Sequence, residues 1–146
     1  MTMHPRPVGR SRVLAALGAI VAVVGCFLPW YTVGGRNGLP VITGTGFESL
    51  GILVFAAAIA TLALVTLPYA SERPVSADRW SSYAILAAVG WLGFGYRVVD
   101  LATQRALTFD EPADIVLRIP GLWLAGIGLL ILARATYEML QEPRLR

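Results

Sequence analysis

A chain of 146 residues with 56% apolar residues, 14% charged residues and a mean hydropathy of +0.66 is too apolar for a water-soluble domain, because soluble domains carry charge on about a quarter of their positions. The net charge of +3 rests on arginine alone, with no lysine in the chain. The arginines stand at the ends of apolar runs rather than in a patch, which excludes a nucleic-acid partner and leaves anionic headgroups as their natural counterpart.

Residues 1–12 form a polar tail carrying His4, Arg6, Arg10 and Arg12, and a terminal histidine of this kind is expected to be solvated. The first apolar run follows over about 13–30. Its Val23-Val24-Gly25-Cys26 loosely matches a lipoprotein cleavage signal, but the run continues past Cys26 through Phe27 and Leu28. A retained helix is therefore expected. Trp30 and Tyr31 close the run as interfacial anchors.

A glycine-rich connector over 31–46 leads into a second run over about 47–68, with the acid Glu48 near its start and Ala56, Ala57, Ala58, Ala60 and Ala63 offering a thin packing face. The connector 69–79 is short and polar. The third run, about 80–99, opens on Trp80 and carries Gly90, Gly93 and Gly95 as a second thin face. In the connector 100–118, Asp110-Glu111-Pro112 has the pattern of a helix start, so a short surface helix is expected over 111–117. Pro120-Gly121 then turns the chain into the last run, about 119–138, with Trp123 as an anchor and Arg134 one turn from Glu138.

A spanning helix needs about 20 apolar residues to cross about 30 Å of hydrocarbon, and these four runs use most of the chain. The expected fold is all-α: an integral membrane four-helix bundle forming a single transmembrane domain over 1–146. Arginine placement sets its orientation. Arg6, Arg10, Arg12, Arg73, Arg79, Arg134, Arg144 and Arg146 fall on one side, and Arg36, Arg97, Arg105 and Arg118 on the other. Both termini and the 69–79 connector are therefore expected in the cytoplasm (N-in/C-in), with 31–46 and 100–118 as outer loops and 139–146 as a cytoplasmic tail.

Chemistry-bearing residues are few. One histidine and one cysteine support neither a metal cluster, a Cys–His nucleophile pair nor an internal disulfide. The glycines of TGTGFESLG follow no strand-to-helix phosphate pattern, and the acids at 110–114 lack the ligand spacing of a calcium loop and are expected to be a solvated helix start. No catalytic, cofactor or metal residues are assigned. What remains is Glu48, Arg97, Asp100 and Arg118, which share one depth at the outer ends of spans two, three and four. Charges at membrane depth pair or line a wet cavity. The four are expected either to pin the helix ends together or to line a site for an ion, a polar ligand or a partner.

The segments FLPWY, TGTGFESLG and YRVVD followed by PGLWLAGIG resemble those of uncharacterised small four-helix integral membrane proteins of GC-rich, actinobacteria-like bacteria. That resemblance implies the same fold and a multi-pass place in the bacterial inner (plasma) membrane, and it supplies no activity. The expected function is that of a non-enzymatic accessory subunit or scaffold, with membrane lipids and other membrane subunits or a homo-oligomer as partners. The alternative is a small oligomeric transporter or channel for lipid or hydrophobic molecules.

Overall fold

The structure, a computed structural model, describes residues 9–70 and 79–142. Most of the expected tail 1–12 and of the 69–79 connector, and the end of the 139–146 tail, lie outside the described residues. The chain is mostly helical, with α1 over Arg10–Phe27, α2 over Ile52–Ala70 entered through a 3-10 turn at Ser49–Gly51, α3 over Trp80–Thr103 and α5 over Pro120–Gln141. These four are long and apolar enough to cross a membrane. A single-turn helix, α4, spans Asp114–Leu117, so the expected 111–117 helix is shorter and starts three residues later.

The all-α expectation needs correction. Residues Pro29–Val33 and Ile42–Thr45 form an antiparallel hairpin of two strands, β1 and β2. Pro29 cannot donate a helical hydrogen bond and drives the preceding residue toward extended backbone. Leu28 accordingly adopts φ −88°, ψ 159°, and α1 stops at Phe27, short of the expected 30. The residues beyond it, Trp30, Tyr31, Thr32 and Val33, are strong strand formers. The connecting loop turns back through left-handed backbone at Gly34, Gly35, Asn37 and Gly38.

The helices close into a ring in which α1 packs on α2, α2 on α3, α3 on α5 and α5 back on α1. The seam between α1 and α5 is the most extensive, and its residues repeat every seven positions. Ser11, Gly18 and Gly25 with Ala15 and Ala22 face Gly121, Gly128 and Ala135 with Ala125 and Leu132, and all are buried. A seven-residue repeat keeps one face of a helix on its neighbour, and small residues at those positions let the backbones touch. A Cβ added at Gly18, Gly25, Gly121 or Gly128 would stand under 3.0 Å from backbone atoms across the seam. At the end of the bundle that carries the termini, Ser11 Oγ donates to the Glu142 carboxylate.

Between α2 and α3 the same device operates over a shorter length. Gly90 lies against Leu129 and Ala57, and Gly93 against Leu50 and Leu53, whereas Gly95 meets nothing within 4 Å and is not part of that face. The core is built largely from small side chains, with Ala15, Ala19, Ala22, Ala58, Ala125 and Ala135 each at most 1% exposed. Large apolar side chains such as Leu17, Ile20, Ile85, Leu92 and Leu130 point outward. Only 28–39% of each helix's most apolar stretch is buried, an outward apolar surface far beyond that of a soluble monomer.

The seam sets a test. Gly128→Val should push α5 off α1 and cost about 1–3 kcal/mol or more by overpacking, seen as a lowered unfolding midpoint in detergent. Gly95→Ala, placed on open helix surface, should leave that midpoint unchanged or raise it by up to about 1 kcal/mol equivalent.

Candidate functional site

The hairpin end of the bundle gathers the charged residues into two groups. The first centres on Arg97, which α3 presents inward and which is 5% exposed. Its Nη2 donates to Glu48 Oε2 at 2.9 Å and its Nη1 to Asp100 Oδ2 at 2.5 Å. Asp100, one turn on along α3, also accepts from Gln104 Nε2 at 2.8 Å. Arg97 Nε is enclosed and has no acceptor among the described residues, so two carboxylates hold the guanidinium through its Nη groups alone. The group carries two negative charges against one positive, with Glu48 as its outermost member at 45% side-chain exposure.

Tyr31 completes this group from β1. Its hydroxyl donates to Glu48 Oε2 at 3.1 Å, and Arg97 lies 5.7 Å from its ring centre, a distance at which a cation is attracted to the ring face. Burial, and then the hydrogen bond to the Glu48 carboxylate, push the Tyr31 hydroxyl above its usual range and keep it a donor. The ring crosses the hairpin onto Gly44, its partner in register, where a Cβ would run into it. Gly46 makes the same kind of room for Trp30, and Gly51 for the backbone of Gly46. The glycines of TGTGFESLG are thus spaces cut for neighbours.

Trp30 departs from its expected place. It sits at a register shift in β1, and an irregularity of that kind re-aims a side chain. The ring turns into the protein, is 0% exposed, meets Phe94 edge-on at 5.7 Å and donates from Nε1 to Gly25 O at 2.9 Å. It is a core residue rather than an exposed anchor. Tyr31 is half-buried, while Trp80 and Trp123 stand exposed at the starts of α3 and α5, with Trp123 Nε1 donating to Ile115 O at 2.9 Å.

Arg118 does not join Arg97. It belongs to a second group that straps α4 to the hairpin. Thr32 Oγ1 donates to Arg118 O at 2.9 Å, the Arg118 guanidinium leans on Thr32 O and Gly34 O at 3.5 Å, and its Nε lies 3.6 Å from Asp114 Oδ1. From the hairpin loop, Arg36 pairs with both Asp110 and Asp114. Asp110 and Asp114 are therefore partners of an arginine far away in sequence, not simply a solvated helix start. Partial burial pushes the Asp114 carboxyl up, but Arg36, the Glu111 backbone hydrogen bond and Arg118 outweigh it and hold it below the ordinary 3.8. At the far end of α5, Arg134 and Glu138 pair at 3.2 Å, as their spacing predicts.

Chemically, both groups join chain segments. Glu48, Arg97, Asp100 and Arg118 are each engaged by a partner in the same chain. Among the described residues no three His, Cys, Asp or Glu side chains are gathered as metal ligands.

Two outcomes follow from this geometry. Arg97→Gln, which strands two carboxylates beside each other, should cost more stability than Glu48→Gln or Asp100→Asn, by about 2–3 kcal/mol against about 1 or less. Adding Glu48→Gln to the Arg97 variant should recover part of the loss; denaturant titration of the four proteins measures it. The second outcome concerns acid. A carboxyl whose pKa is depressed on folding contributes stability above its unfolded value and loses it as pH falls through the folded one. The Asp114 strap should therefore hold at pH 5 and weaken as pH falls below the ordinary 3.8. Pepsin should then cut the 104–119 segment at pH 2.5 but not at pH 4.5, while Asp114→Asn should be cut at both. In comparison with known proteins, no family model, no curated protein and no solved structure matches the chain.

Proposed function

We propose that the protein is a multi-pass protein of the bacterial inner membrane, N-in/C-in, and a non-enzymatic accessory subunit or scaffold. It acts by presenting helix faces and a rigid outer cap to other subunits. Membrane placement is supported by four apolar helices whose large side chains face outward. The orientation is supported by the arginine bias between the two ends.

The observation that carries the scaffold reading is that each of the four candidate site residues is engaged within the chain, three of them with one another and Arg118 in a second group. Glu48, Arg97, Asp100 and Arg118 spend their charges on one another, on Asp114 and on the hairpin backbone. That leaves a fixed cap rather than a vacant polar cavity. The interior supports it too, because among the described residues its buried side chains are mostly apolar, with Ser11, Thr61 and Arg97 buried beside them.

One observation favours the alternative of an oligomeric carrier of lipid or hydrophobic molecules: an apolar groove on the outer face of α2 and α3. Purification of the full chain in mild detergent, followed by mass spectrometry of co-purifying proteins, separates the two. The expected result is a stoichiometric membrane partner, and a lone homo-oligomer would overturn the accessory reading in favour of the carrier. For orientation, Asn37→Cys should react with an impermeant maleimide in intact cells, and protection there would reverse the topology.

A further inference from the structure

Gly90 and Gly93 draw α2 and α3 together only toward the hairpin end. Toward the opposite end, over 58–70 and 80–89, neither helix has a glycine. Ala60, Ala63, Leu64 and Leu67 of α2 instead face Ser82, Ile85 and Leu86 of α3 across an open groove of about 420 Å³. That volume falls within the range of about 300–1,000 Å³ typical of small-molecule sites. Apart from one serine, Ser82, every side chain lining the groove is apolar, and Ser82 stands at the end nearest the start of α3.

One turn before Ser82, Arg79 caps α3, and it is exposed, as are Trp80 and Tyr69 at the same level. Arg79 has extended backbone (φ −119°, ψ 150°), and its carbonyl accepts from the Ser82 N–H at 3.0 Å, while residues 82 and 86 follow helical spacing along one face. The groove is therefore graded, with apolar walls along its length, a hydroxyl near its end and an exposed guanidinium at the start of α3 beyond it. An amphiphile with an apolar chain and an anionic head has that same gradation. A partner helix would place apolar side chains, not an anion, opposite Arg79.

We infer that this groove is a binding site for one anionic phospholipid, its acyl chain lying between Ala60, Ala63 and Ile85 and its phosphate against Arg79 and Ser82. Arginine suits the head because its planar fork takes a phosphate through two hydrogen bonds. Ala60 and Ala63 suit the chain because their short side chains leave the depth it fills. The inference rests on the membrane reading and adds to it a lipid class and a place.

The test uses the full chain in mild detergent, with native mass spectrometry after addition of phosphatidylglycerol or phosphatidylcholine. The wild type should retain one phosphatidylglycerol in preference to phosphatidylcholine. Arg79→Gln should reduce that preference about fivefold, the worth of one cation near an anionic head, and Arg79→Lys should keep most of it. Ala63→Leu, which fills the groove, should lower retention of both lipids. An unchanged preference in Arg79→Gln, or equal retention of the two lipids by the wild type, overturns the proposal. So does a dimer that Ala63→Leu dissociates, since the groove would then hold a second copy. Alkaline carbonate extraction is run beside it. A chain that stays with the membrane yet shows no lipid preference refutes the lipid site alone, whereas a chain released by carbonate refutes the membrane reading beneath it.

Discussion

The closeness of α1 and α5 is the constraint on which the rest of the structure depends. In an apolar surround, helices gain little from hiding apolar area from one another, so association relies on tight packing and on polar contacts. Glycine at 18, 25, 121 and 128 lets the two backbones touch along the whole seam. That contact brings the start of α5 beside the end of α1, with Gly121 against Leu28 O and Gly25 O. The chain leaving α1 therefore rises over α5, and β1 passes within reach of Arg118, two residues ahead of that helix. A wider seam would leave the hairpin without a floor.

The hairpin end has a second organising element in Arg97. A guanidinium that is 95% buried is costly to desolvate, and it persists there because carboxylates from two segments satisfy it. Asp100 comes from its own helix, and Glu48 comes from the turn that leads into α2. Arg97 thereby fixes where α2 begins relative to α3. Through Glu48 and the hydroxyl of Tyr31 it also fixes where β1 lies over β2. Toward the opposite end of the α2–α3 pair the helices leave the groove assigned to a lipid. Rigid cap and open groove are two ends of one pairing, and Gly90 and Gly93 lie toward the cap.

The legible part of the fold came from local signals. Four apolar runs became four helices, with ends within a few residues of expectation, and the Arg134–Glu138 pair followed from spacing on one helix. The strands were legible in principle: Trp30, Tyr31, Thr32 and Val33 before a GGRNG turn and Ile42, Thr43 and Thr45 after it form a hairpin pattern. The apolar flank of α1 masks that pattern, because hydropathy rises for strand and helix alike. Of the four candidate site residues, Glu48, Arg97 and Asp100 do meet. Arg118 does not join them and meets Asp114 and the hairpin instead.

By itself the sequence determined how many apolar helices form, where proline and glycine end them, and that the few charges collect at their ends. Each of those depends on neighbours within a turn or two, where backbone sterics and hydropathy act. Only the tertiary structure decided that Trp30 turns inward, that Arg36 holds Asp110 and Asp114, and that the tightest seam joins the first helix to the last. These contacts link residues many tens of positions apart, such as Glu48 with Arg97 and Thr32 with Arg118. Which partner a charge or a glycine finds depends on the angular position of its helix around the bundle. The hydrophobic repeat is nearly the same on every face of such apolar helices, so only their packing sets it.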